Sequence, residues 1–302
     1  MLYGNMRDGV TEPPVDLHVH STASDGTYTP SELVDYAIKK GLAAIALTDH
    51  DTVEGLKEIR DYAASIENAP EIINGIELST DLNGKDIHIV GLFIDETEPE
   101  FLSNLEVFRN SRDVRNEKMC KGLREGLHMD ISFSQLKEAF PGAVITRAHY
   151  AKYMLKHGYV QSTQEAFDRY IGDGCPYFIP REKVTPVDGI RLIKKAHGIP
   201  VLAHPLLYGM SHDRLDSLIT DLKAEGLAAM ETMYTTFSAG ETNEMKAMAD
   251  KHGLLWSGGS DFHGSNKANT DLGTGRGNLF IPLSTLEKLR DYYKHNINNQ
   301  EF

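Results

Sequence analysis

The run Asp16-Leu17-His18-Val19-His20 places two imidazoles two residues apart, and Asp25, His50, Glu77, His88, His204, Asp261 and His263 follow at widening intervals. Imidazole nitrogens and carboxylate oxygens suit borderline divalent ions such as zinc, manganese and iron, and a carboxylate can bridge two ions where an imidazole cannot. A lone histidine is more often a surface or hydrogen-bonded group than a ligand. The case for a metal cluster therefore rests on whether the fold gathers these positions.

Each candidate sits in or beside a short apolar run that reads as a strand. Residues 15–20 alternate and end at the histidine pair, 43–48 open onto Asp49-His50-Asp51, and 71–77 end at Glu77. Residues 87–94 carry His88 near their start, 199–203 lead into His204-Pro205, 227–231 end at Glu231, and 254–257 run into Gly258-Gly259-Ser260-Asp261-Phe262-His263. Helix-period segments separate most of these runs. The segment 31–40 shows Thr29 as N-cap, Pro30 at the first helical position, Glu32 in the first turn, two lysines near its end and Gly41 just past it. Residues 187–196 and 241–251 look similar, with Gly198 and Gly253 as stops. This alternation predicts an α/β fold with a parallel sheet and right-handed crossovers, closed into a distorted seven-stranded (β/α) TIM-like barrel. In such barrels chemistry collects at the strand C-terminal ends, so most of the runs point to one shared rim. His88, early in its run, does not follow that rule.

From about residue 98 to 178 the strand signal gives way to helical periodicity. Leu102, Leu105, Phe108, Met119, Leu123 and Leu127 predict a long amphipathic helix ending near Gly126. The expected organisation is an N-terminal extension over 1–14, a barrel over 15–97 and 179–302, and an inserted helical domain over 98–178 that covers the substrate. On the long helix Arg112, Arg115 and Asn116 stand at i, i+3 and i+4 and share a face. Arg147 and His149 open a later helical stretch, and Arg181 follows Pro180 where the barrel resumes. The arginines read either as solvated surface charge or as a phosphate grip, since guanidinium forks bind phosphate oxygens in pairs. His149 is open between substrate contact, metal ligation and helix packing, with substrate contact favoured.

The chain of 302 residues can bury a large core without a disulfide or metal staple. Cys120 and Cys175 show no pairing pattern, and neither a signal-peptide core nor a bilayer-length apolar stretch is seen, so a cytoplasmic protein without membrane partners is expected. A net charge of −13 argues against duplex nucleic acid. It does not forbid a small phosphorylated substrate. Gly273-Thr274-Gly275-Arg276-Gly277 does not lie between a strand and a helix and reads as a flexible turn rather than a phosphate loop. Trp256 reads as core.

Four stretches together resemble the polymerase and histidinol phosphatase (PHP) family of metal-dependent phosphoesterases. They are Asp16-Leu17-His18-Val19-His20-Ser21-Thr22-Ala23-Ser24-Asp25-Gly26, Leu47-Thr48-Asp49-His50-Asp51-Thr52, Gly75-Ile76-Glu77, and Ala203-His204-Pro205 with Gly259-Ser260-Asp261-Phe262-His263. Within the family the chain is most similar to small bacterial enzymes with a helical insertion that remove phosphate from nucleoside 3′,5′-bisphosphates, some of which also trim RNA from the 5′ end. The features pointing to that branch are Thr146-Arg147-Ala148-His149, the Arg112-x-x-Arg115-Asn116 face and Phe178-Ile179-Pro180-Arg181-Glu182-Lys183-Val184.

The resemblance implies up to three divalent ions, manganese foremost with iron or zinc as alternatives. His18, His20, Glu77 and Asp261 would surround one ion, Glu77, His88 and His204 a second, and Asp25, His50 and His263 a third. Arg112, Arg115, Asn116, Arg147 and His149 would meet the substrate. Where relatives often carry a carboxylate-aromatic-Asn run after the sixth strand, this chain reads Glu231-Thr232-Met233-Tyr234-Thr235-Thr236. The expected chemistry is phosphomonoester hydrolysis by in-line attack of solvent activated between two ions. Asp25 would hold the third ion, Arg147 with Arg115 and Asn116 would orient phosphate, and His263 or another rim histidine would protonate the leaving oxygen. Rival expectations are a phosphatase for a small ester such as histidinol phosphate, a nuclease, or an inert metal- or ligand-binding barrel, the last of which predicts a degraded ligand set.

Overall fold

Seven strands pair in chain order: β1 (Val15–Val19), β2 (Ala44–Leu47), β3 (Glu71–Leu82), β4 (Lys85–Leu92), β5 (Ile199–Leu202), β6 (Ala229–Tyr234) and β7 (Leu255–Gly259). The structure, a computed structural model, describes residues 6–7, 10–180 and 184–297. The helices are α1 (Pro30–Lys40), α2 (Glu54–Ala64), α3 (Pro99–Leu127), α4 (Phe133–Ala139), α5 (Arg147–Lys156), α6 (Thr163–Ala166), α7 (Pro186–Lys195), α8 (His212–Ala224), α9 (Ala239–Lys251) and α10 (Leu283–Asn296). Backbone bonds from Asp261 N to the His18 carbonyl (2.9 Å) and from His20 N to the Phe262 carbonyl (3.0 Å) join the end of β7 to β1 and nearly close the ring. Among the described residues no helix is long and apolar enough to cross a membrane.

The expected all-parallel sheet is corrected at one strand. β4 runs antiparallel to both neighbours, whereas the other pairs are parallel. Its connection to β3 is the dipeptide Asn83-Gly84, with φ of 55° and 82°. Two such residues make a tight hairpin and cannot span a parallel crossover. The reversal also resolves His88. A descending strand reaches the rim at its beginning, and His88 pairs with Ser79, just beyond Glu77 on β3.

One apolar cluster combines alternate strand residues such as Leu17, Ala46, Val90 and Val201 with Ile281, Leu286 and Leu289 beside and within α10. A second sets the other strand faces, including Ile45, Ile76 and Ile89, against the surrounding helices. The sequence cues at α1 hold: Thr29 and Glu32 form a reciprocal capping box, and Gly41 ends the helix at φ 67°.

Because β4 descends, the chain leaves it at the end away from the rim, and α3 carries it back. At 29 residues and ~1.5 Å per residue the helix is roughly 43 Å long. Its first half, through Phe101, Leu105 and Phe108, packs in the barrel core. Met119, Cys120 and Leu123 in its second half belong to a third cluster with Ile131, Leu136, Tyr150 and Met154 from α4, α5 and their connections. Arg112, Arg115 and Asn116 lie buried between these two cores.

Candidate metal centre

His18 and His20 stand at the end of β1, Asp25 in the loop after it, His50 after β2, Glu77 within β3, His88 in β4, His204 after β5, and Asp261 and His263 after β7. The barrel mouth gathers all nine, with every one buried except the half-buried His88. Glu77 is their hub. Its Oε1 lies 2.7 Å from His88 Nδ1 and 3.1 Å from His204 Nε2. Its Oε2 lies 3.2 Å from both His18 Nε2 and His20 Nε2, and 3.1 Å from His50 Nδ1. Asp25 Oδ1 is 3.1 Å from His263 Nε2, and Asp261 Oδ1 is 3.3 Å from His20 Nε2 and from His263 Nδ1.

Donor atoms close enough to share an ion fall into three groups among the described residues: His20, Asp25, His50 and His263; His18, His20 and Asp261; His50, Glu77 and His88. His20 and His50 thus each face two groups, a finer sharing than the family pattern implies. His204 touches the cluster through Glu77.

This donor set fits divalent cations. His20 Nδ1, His204 Nδ1 and Asp25 Oδ1 are buried without a hydrogen-bond partner, an unfavourable state for polar atoms that a cation would relieve. His18 Nδ1 lies 2.8 Å from Glu231 Oε1, the carboxylate–imidazole pairing that fixes a ligating histidine with its other nitrogen inward. Its Nε2 then faces His20 Nε2 at 3.1 Å beside two carboxylates. Burial alone would raise the carboxyl pKa values, yet the imidazoles of His263 and His50 hold Asp25 well below the usual range, and those of His50 and His18 do the same to Glu77. Burial likewise opposes charge on the histidines, but Glu77 and Glu231 push His18 well above the ordinary imidazole value, and contacts with Asp261 and Glu77 lift His20 to about 9. The side of the pocket at His18 and His20 therefore favours positive charge, whereas burial holds His50 well below, and His263 below, the ordinary imidazole value.

Two further motif carboxylates hold loops. Asp16 accepts from Ser260 N and Gly273 N at 2.8 Å and from Ser260 Oγ at 2.5 Å. Asp49 accepts from Ser21 N (2.8 Å), Ser21 Oγ (2.6 Å) and Ser24 Oγ (2.5 Å). The glycine-rich turn at 273–277 is accordingly anchored, with Gly275 N also bonded to the Asp271 carbonyl at 2.8 Å. Asp51, His204 and Asp261 adopt φ of 51°, 28° and 54°. These left-handed conformations in non-glycine residues place backbone strain at the mouth.

The ligands open onto a cavity of about 440 Å³ whose walls include Arg112, Arg115, Arg147, Phe167 and Lys267, within the roughly 300–1,000 Å³ of small-molecule pockets. Arg112 donates through Nε to Asp51 Oδ2 (2.7 Å) and through Nη2 to Ser79 Oγ (2.6 Å). Arg147 bridges Asp86 (2.7 Å) and Asp173 (2.6 Å) with its guanidinium 5.0 Å from the Phe178 ring centre. Asn116 does not line the cavity; its amide donates to the Ile145 carbonyl at 3.0 Å. His149 is also outside it. Its Nδ1 accepts from Thr146 N at 3.0 Å, its ring lies 4.4 Å from Phe140, and burial pushes its pKa down to about 4. Arg181 lies outside the described residues.

Four residues not singled out for the site support it: Glu231 beneath His18, Thr146, whose hydroxyl donates to Asp25 Oδ2 at 2.7 Å, and Tyr234 and Lys267, both on Asp261 Oδ2. Thr146 was recoverable from its place three residues before His149 at a helix start. Lys267 carries no local signal.

Comparison with known proteins gives a match to the PHP domain over residues 16–171. A 5′-3′ exoribonuclease of Haemophilus influenzae is 38% identical over 252 residues, covering 82% of this chain and 89% of that protein. A 3′,5′-nucleoside bisphosphate phosphatase of Chromobacterium violaceum is 32% identical over 259 residues, covering 86% and 90%. A solved structure from C. violaceum, described as an amidohydrolase with bound sulfate and no metal, is similar with a TM-score of 0.81 at 31% identity, covering 92% of this chain and 96% of that one.

Proposed function

The chain belongs to the PHP-domain family of metal-dependent phosphoesterases, and from that premise we propose that it hydrolyses the 3′-phosphate of nucleoside 3′,5′-bisphosphates. The observation that carries this is the opening of an eight-residue imidazole and carboxylate cluster, with His204 joined to it through Glu77, onto a cavity walled by three arginines. A bisphosphate presents one phosphate to the cluster and needs positive charge for the other. The phosphatase relative from C. violaceum supports the same substrate. A second reading, removal of nucleotides from the 5′ end of short RNA, is favoured by the greater identity to the H. influenzae exoribonuclease. The charge of −13 speaks for short chains in that case.

In this reading the nine residues hold up to three divalent ions, manganese foremost. Such ions lower the pKa of water and neutralise phosphate oxygens. Glu77 stands between two groups of imidazoles, and Asp25 with His263 completes the third side. Arg115 and Arg147 supply the cationic wall that orients phosphate, while the pairing of Arg112 with Asp51 secures α3 against the barrel. His263 has Nδ1 at 2.9 Å from the Asp261 carbonyl and Nε2 at 3.1 Å from Asp25. With Nδ1 turned to that carbonyl, Nε2 would be the nitrogen that shares an ion with Asp25, so in this reading His263 is a ligand rather than the proton donor to the leaving oxygen.

Phosphate release from adenosine 3′,5′-bisphosphate, histidinol phosphate and a 5′-phosphorylated dinucleotide, each with manganese supplied, tests the proposal. Preference for the bisphosphate is expected. Preference for histidinol phosphate, or equal negligible rates on all three, would overturn it.

A further inference from the structure

The two oxygens of Asp261 have different surroundings. Oδ1 faces His18, His20 and His263 at 3.7, 3.3 and 3.3 Å. Oδ2 accepts from the Tyr234 hydroxyl at 2.6 Å and from the Lys267 ammonium at 2.5 Å. Tyr234, the buried last residue of β6, and Lys267, on the short turn Gly264–Lys267, approach from separate elements. That turn is itself fixed: Ser265 N donates to Thr27 Oγ1 at 3.0 Å and the Asn266 amide donates to the Asp25 carbonyl. The strained φ of 54° at Asp261 further sets where its side chain starts.

A carboxylate with both oxygens open can chelate one ion through both or swing to bridge two. One whose second oxygen already receives a hydroxyl and an ammonium offers a single oxygen in a fixed direction. We propose that Tyr234 and Lys267 are positioning residues that hold Asp261 as a one-oxygen ligand, keeping Oδ1 between the His18/His20 pair and His263. This rests on the metal-centre reading above. It extends that reading to residues outside the ligand set, and to the loop where the Glu231–Thr236 stretch departs from the family's usual pattern.

Lys267 has an opposite possible effect, because an ammonium beside a cation site repels the cation. Tyr234 separates the two roles, since it grips the same oxygen without charge. If the grip dominates, Lys267→Met and Tyr234→Phe both weaken binding. If charge dominates, Lys267→Met tightens it and Tyr234→Phe changes little.

The experiment is titration of metal-stripped full-length protein with manganese(II) alone, following free ion by its electron paramagnetic resonance signal. Outer partners of metal ligands are worth about 10–100-fold in affinity, so each variant should weaken one class of site roughly tenfold. Lys267→Arg, which keeps charge and donor, should bind like wild type, and melting curves in chelator should show all variants folded alike. Titrations of both removal variants that superimpose on wild type, or tighter binding by Lys267→Met, would overturn the inference alone. A wild type that takes up no manganese would instead refute the metal-centre reading on which it stands.

Discussion

Replacing Arg112 by Met tests whether this cavity-lining arginine serves the fold or the substrate. Its side chain is 3% exposed and its partner Asp51 is fully buried, so the substitution takes a guanidinium away from a carboxylate that water does not reach. Removing one member of a buried ion pair costs about 3–5 kcal/mol. Asp51 Oδ1 would still accept from Ser79 N at 3.0 Å, which places the expected loss at the low end, ~3 kcal/mol. At about 2–4 °C per kcal/mol for a chain of this size, the melting temperature should fall by about 6–12 °C. Calorimetry and denaturant unfolding of the manganese-loaded protein measure this directly. Adding Asp51→Asn, which keeps a residue tolerant of the left-handed backbone and removes the buried charge that Arg112 faced, should recover part of the loss in a double-mutant cycle. A variant that melts within about 1 °C of wild type while losing kcat/KM would show that the guanidinium acts on substrate and that the latch argument is wrong.

Other outcomes follow from the same geometry. Glu77→Gln removes the charge facing five imidazoles and should weaken manganese binding by about 3–5 kcal/mol, or roughly 10²–10⁴-fold; undiminished metal content by elemental analysis would contradict the hub role. Thr146→Val deletes a hydroxyl donating to Asp25, worth about 1.5–3 kcal/mol for a charged acceptor, and should lower phosphate release about tenfold or more, with Thr146→Ser retaining it. Chelation should lower the melting temperature reversibly, since each ion at a hundredfold excess over its Kd contributes about 2.7 kcal/mol; superimposable melts with and without chelator would argue that no ion is bound.

Much of the site was legible because strands that end at a rim leave a chemical mark. An apolar run closing on His18, Asp49-His50, His204 or Asp261 tells both where the strand stops and what it presents. The same rule misjudged the sheet direction at His88, although Asn83-Gly84 between two apolar runs was a hairpin signal in plain view. His149 was ambiguous because an imidazole that caps a helix and one that meets a ligand look alike in one dimension. Lys267 could not be found at all, since its reach to Asp261 depends on an irregular turn rather than on any periodicity. The left-handed backbone at Asp51, His204 and Asp261 was equally hidden, because glycine is the sequence's main flag for positive φ.

The single rod of α3 runs unbroken from the barrel's packing into that of the helical lobe, with no proline or glycine between Phe101 and Lys121 to act as a knuckle. Roof and cup are therefore bolted to one beam. Swinging the lobe aside as a rigid cover would require bending that beam in mid-span or tearing one half from its bed. Traffic through the mouth is left to smaller parts, such as side chains at the rim and the short turns of the lobe, so the opening's calibre is set by construction rather than by a moving gate.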